Sequence, residues 1–130
     1  MLREVEVIAD NGRDAGRVFV VREMPAAKLE MFAFRALMAA CRTNADIDPT
    51  GGFGELVQVG FKALFSADFQ DLKPLLDEMM TGVDIVLNKG RTDQIRRGII
   101  DSDTEELETR LKIRQAWIEL HTGFTLPAFR

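Results

Sequence analysis

The chain has 130 residues, a net charge of −4 and a pI near 5.0, with 46% hydrophobic and 29% charged residues. This is globular material for one domain with one core, and the acidic balance argues against a nucleic-acid binder. The single cysteine, Cys41, excludes an internal disulfide and a cysteine zinc site, and no apolar run approaches the roughly 20 residues that span a bilayer. The opening residues, MLREVEV, carry acids and lack an apolar core, which argues against a signal peptide and for a cytoplasmic protein.

Val5, Val7, Val18 and Val20 alternate at period two, and the stretch Ala9 to Gly16 between them is rich in Asn, Asp and Gly. The pattern predicts a β-hairpin over residues 3–22. Such a ribbon is marginal alone and must pack on something else.

Pro25 suits the first turn of a helix running to about Arg42. Lys28, Arg35 and Arg42 form its one polar line. Leu29, Phe32, Ala36 and Ala40 lie on one flank of that line, and Met31, Phe34, Met38 and Cys41 on the other. A surface helix of a monomer needs an apolar stripe only about 100° wide, so a wider one predicts central burial or a partner. Thr43 to Gly52 reads as a loop, followed by a second helix from about Phe53 to Ser66 with Gly60 inviting close helix approach. Asp68 and Asp71 resemble a cap ahead of Phe69, Leu72, Leu76 and Met79, and Pro74 predicts either a kink or a fresh helix start.

Val83, Ile85 and Leu87 alternate again, which allows a second short hairpin with Ile95 to Ile100 across an Asn88-Lys-Gly90 turn. Ser102 to Glu105 reads as a capping box for a last helix ending near His121, before Gly123. Leu107, Leu111 and Ile118 make one apolar row of that helix; Ile113, Ala116, Trp117, Leu120 and Phe124 make a second. The expected fold is α+β and mainly α-helical, with about four helices. It forms one domain over residues 1–124: a hairpin at 3–22, a mainly helical part at 25–122 and a flexible tail at 125–130.

Reactive groups do not converge in this pattern. His121 is the only histidine and sits where a helix end offers carbonyls, and no triad partner accompanies it. Asp101, Asp103, Glu105 and Glu106 suit a helix N-terminus better than a metal, and Asp46-Ile-Asp48 lacks the other ligands of a calcium loop. Gly51-Gly-Phe-Gly54 opens a helix but lacks P-loop spacing. No catalytic, cofactor-binding or metal-binding residue is therefore assigned, and an enzyme is not expected. The candidate residues for partner binding or self-association are Met31, Phe34, Met38, Ile113, Trp117, Leu120 and Phe124. Methionine serves adaptable binding surfaces, and Trp is enriched where binding energy concentrates.

The segments Ile8 to Gly16, Phe19 to Pro25, Asp68 to Met80 and Leu111 to Phe124 resemble those of tail assembly chaperones of long-tailed, siphovirus-type bacteriophages. The resemblance covers nearly the whole chain and rests on no catalytic signature. It implies a mostly helical protein of the host-cell cytoplasm that binds the hydrophobic tape-measure protein before the tail tube polymerises around it. It further implies homo-oligomers, and recruitment of tail-tube subunits through a frameshifted, extended isoform. Two other readings of the residues stay open: a small-molecule-binding or enzyme-accessory helical domain, and a helical DNA-associated regulator. A closed, ligand-filled pocket would favour the first of these, and a basic face the second.

Overall fold

Valine-rich stretches that alternate with charged residues form pleated strands, because branched side chains pack well on a half-buried sheet. In a computed structural model that describes residues 1–43 and 67–122, four such stretches pair into one sheet. They are β1 (Glu4–Ile8), β2 (Val18–Arg22), β3 (Val83–Leu87) and β4 (Ile95–Gly98), in the order β1-β2-β3-β4, all antiparallel. The helices are α1 (Ala26–Thr43), α2 (Phe69–Met80) and α3 (Leu107–Thr122).

The expected α+β class fits, but the expectation of about four helices is corrected. Among the described residues there are three α-helices and a four-stranded antiparallel sheet; the helix expected over residues 53–66, with Gly60, lies outside them. The hairpin of β3 and β4 is present, and β3 also pairs with β2, with Val18, Phe19, Val20 and Val21 facing Val86, Ile85, Asp84 and Val83. Strands 60 residues apart in sequence share one ladder, a pairing that local alternation does not encode.

The chain divides into two compact units. One joins Met1–Glu23 to Met79–Arg130 and holds the sheet and α3; the other, Met24–Glu78, lies between β2 and β3 in sequence. The two crossing points are tied within the first unit, where the Arg22 N–H donates to the Gly82 carbonyl at 2.9 Å.

The register of the first unit sets Val7, Phe19, Val21, Val83 and Ile85 on one face, where all are buried. Helix α3, which contacts β1 and β2, buries Ile113, Trp117 and Ile118. Side-chain hydrogen bonds tie α3 to both ends of β1. Lys112 donates to the Ile8 carbonyl at 2.9 Å, and Arg3 donates to the Leu120 carbonyl at 2.8 Å. The other face of the sheet carries an ionic lattice from one edge strand to the other. Arg96 meets Glu4 at 2.7 Å and Asp84 at 2.8 Å, and Arg22 meets Asp84 at 3.3 Å. Lys89 pairs with Glu6 on the same face. Charges along both edges deter pairing with another chain.

Helix α2 runs through Pro74 as one helix from Phe69 to Met80, so no fresh start occurs there. The Asp68 carbonyl accepts the N–H groups of Asp71 and Leu72, each at 3.0 Å, which fixes the first turn. Leu75 and Met79, one turn apart, are both buried.

Candidate protein-docking surface

Helix α1 starts where Pro25 fixes the backbone and its carbonyl accepts the Leu29 N–H at 2.9 Å. Its buried face consists of Phe32, Ala36 and Ala39. At 100° per residue, Met31, Phe34 and Met38 stand roughly 130° around the axis from that face. These three are 54%, 48% and 62% exposed. The helix is thus apolar on two faces, one inside and one outside. Exposed Lys28 and Arg35 border the outer stripe on one side, and exposed Glu30 borders it on the other.

An open cleft of about 340 Å³ adjoins the stripe inside the same unit. Met38, Ala39, Pro74 and Leu75 give it apolar walls, with Arg35, Gln70 and Asp71 at its polar lining. Arg35 holds the two helices together through an ion pair with Glu78, and its guanidinium lies 6.0 Å from the centre of the Phe32 ring. Phe69, on α2, is also exposed.

The candidates on the last helix fall differently. Ile113 and Trp117 are 0% and 1% exposed, so neither has surface to offer a partner. Leu120 is half-buried, and Phe124 lies outside the described residues. In the other apolar row Leu107 and Leu111 are exposed, while Ile118 is buried with Trp117. The correction follows from the start of the helix: α3 begins at Leu107, after a separate 3₁₀ turn at Asp101–Asp103, and its rotation against the sheet turns Trp117 inward.

That rotation is fixed by a carboxylate which the sequence does not single out. Asp14 lies in a 3₁₀ turn between β1 and β2 and is 0% exposed. Its oxygens accept the N–H of Glu105 at 3.0 Å and of Glu106 at 2.9 Å, together with a hydrogen bond from the Thr109 hydroxyl. Arg17 donates to Asp14 at 2.8 Å and to Glu105 at 2.9 Å, and Arg13 donates to Glu106 at 2.8 Å. Burial pushes the Asp14 carboxyl up, but the Thr109, Glu105 and Glu106 hydrogen bonds and the Arg17 charge outweigh it and hold the group below its usual range. The cap of the last helix therefore comes from the first hairpin and not from a box at Ser102 to Glu105. Gly12, at φ +62°, is required beside it: a Cβ there would also stand 2.8 Å from a Glu106 oxygen.

Asp103 and His121 are also engaged structurally. Asp103 receives two hydrogen bonds from Arg97, at 2.7 and 3.0 Å, and one from the Ile100 N–H, which lower its pKa despite burial. His121 stacks on Trp117 with ring centres 4.0 Å apart, and its Nδ1 lies 2.7 Å from the Trp117 carbonyl oxygen, so Nδ1 carries the hydrogen and donates. Burial lowers its pKa from the ordinary histidine value. Among the described residues no three His, Cys, Asp or Glu side chains are grouped to hold a metal ion, and no helix is long and apolar enough to cross a membrane. Compared with known proteins, the chain matches no family model, no curated protein and no solved structure.

Proposed function

We propose that this protein is a bacteriophage tail assembly chaperone, not an enzyme, and that it shields hydrophobic helical segments of the tape-measure protein before the tail tube polymerises. The single observation that carries the reading is the outer apolar stripe of α1, Met31, Phe34 and Met38, standing opposite a second face of the same helix that is already buried. A helix that packs only within its own chain needs one apolar face. A second, methionine-rich face suits a surface that must adapt to many similar segments of a long client. The resemblance of Ile8 to Gly16, Asp68 to Met80 and Leu111 to Phe124 to chaperones of siphovirus-type tails supports the choice of client. On this reading the protein acts in the host cytoplasm and self-associates, and an extended isoform recruits tail-tube protein.

Co-expression tests the reading. The wild-type chain is expected to keep its tape-measure protein in solution and to co-purify with it. Phe34→Asp, which alters only exposed surface, is expected to fold normally and lose the complex. A tape-measure protein equally soluble with the wild-type chain, with Phe34→Asp and alone would overturn it.

A further inference from the structure

The outer stripe of α1 follows a heptad, and its borders carry charge. Met31 and Met38 are seven residues apart with Phe34 between them, the 3–4 spacing of a coiled-coil seam. Lys28 and Arg35, also seven apart, line one border and Glu30 the other; all three are exposed, and Arg35 is engaged by Glu78. Met38 belongs both to the stripe and to the α1–α2 cleft, so a helix laid along the stripe meets an opening for one large apolar side chain beside Arg35.

We infer that this seam takes an amphipathic client helix whose apolar residues recur at 3–4 spacing and whose edge facing Lys28 carries Asp or Glu. The inference rests on the chaperone reading above and adds the chemistry of the client segment. Two arguments select such a client over a second copy of this chain. A parallel pair of α1 helices would set Glu30 against Arg35 of the other copy, a cation already paired with Glu78 within its own chain. The acid needed opposite Lys28 would have to come from position 23, which precedes the helix and is held by Arg3. An antiparallel pair would set the cationic borders against each other. The seam is also short: three residues over two heptads fall well below the roughly 1,200 Å² of a stable specific dimer. A weak grip repeated along a long client gains strength through multivalency instead.

Fluorescence anisotropy with the full chain tests the assignment. Three labelled helical peptides share a length of about three heptads. One has a leucine seam flanked by Glu, one the same seam flanked by Lys, and one a Glu-flanked seam with Ser in place of Leu. The Glu-flanked leucine peptide is expected to bind about tenfold more tightly than the Lys-flanked one, with the gap narrowing as salt rises. The serine peptide is expected not to bind. Lys28→Glu, an exposed change whose folding is checked by its melting curve, is expected to shrink or invert the preference. Equal binding of both leucine peptides would overturn the charge assignment while leaving docking on α1 in place. Failure of every peptide to bind would overturn the docking reading itself. Concentration-dependent dimers of the wild-type chain that Phe34→Ser abolishes, without peptide binding, would give the seam to a second copy and overturn the inference.

Discussion

The carboxylate of Asp14 accepts the backbone N–H of Glu106 at 2.9 Å, joining the turn of the first hairpin to the start of the last helix across 92 residues of sequence. A helix N-terminus has unsatisfied N–H groups and a partial positive charge, and both favour a carboxylate. Here that carboxylate is buried, so the contact also fixes where α3 lies on the sheet.

Asp14→Ala would leave the N–H groups of Glu105 and Glu106 and the Arg17 guanidinium without their buried acceptor. We expect a loss of about 3–5 kcal/mol, and a smaller loss for Asp14→Asn, which keeps an acceptor oxygen. Urea denaturation at neutral pH measures both. An Asp14→Ala midpoint equal to wild type would show that the contact contributes nothing.

Acid should act through the same groups. Asp14, Asp103 and Glu106 all have folded pKa values below their usual ones. The unfolded chain therefore binds more protons at low pH, and the stabilisation, fully present above the ordinary carboxylate range near pH 4, is lost as pH falls through the folded values. Urea midpoints are expected to drop steeply below about pH 4. In Asp14→Asn the drop should be shallower, because one of these groups no longer titrates.

His121 gives a second, optical handle. Its folded pKa is depressed, first by burial, against the opposing Trp117 carbonyl and Glu23 charge, with Arg3 adding to the depression. The unfolded state binds the proton first, so stability from neutral His121 is present above about pH 6.5 and is lost as pH falls through the folded value. Trp117 is the only tryptophan and stacks on this ring, so its fluorescence is expected to fall as the imidazole protonates. His121→Gln should abolish that titration, and a fluorescence profile unchanged by the substitution would contradict the assignment.

Core and surface positions should separate cleanly in mutation. Trp117→Ala removes a fully buried side chain and is expected to cost roughly 3–5 kcal/mol of stability. Phe34→Ser, on the outer face of α1, should change stability by less than about 1 kcal/mol. Thermal melts of the two variants test this, and a Phe34→Ser chain that melts as early as Trp117→Ala would place Phe34 in the core.

Much of this architecture is legible in local pattern. The alternation of Val5, Val7, Val18 and Val20 marks the first hairpin, and the apolar excess of residues 24–42 marks a helix with two apolar faces. What local pattern misses is long-range. Nothing near Val83 signals that β3 pairs with β2, which turns two hairpins into one sheet. Asp14 looks like a turn residue, and only the fold shows that it caps α3. Trp117, a candidate for partner binding in the sequence, is buried for the same reason. Two apolar rows on one helix are equivalent in sequence until a distant contact sets the helix rotation.

Methionine methyl NMR tests the central claim most directly, because the six methionines sample both surface and core. Met31 and Met38 lie on the proposed docking face, whereas Met24 and Met79 are buried. On titration with a helical segment of the tape-measure protein, the account predicts that the Met31 and Met38 methyl signals shift and saturate together while those of Met24 and Met79 stay in place. Saturable binding that leaves Met31 and Met38 unmoved would contradict it.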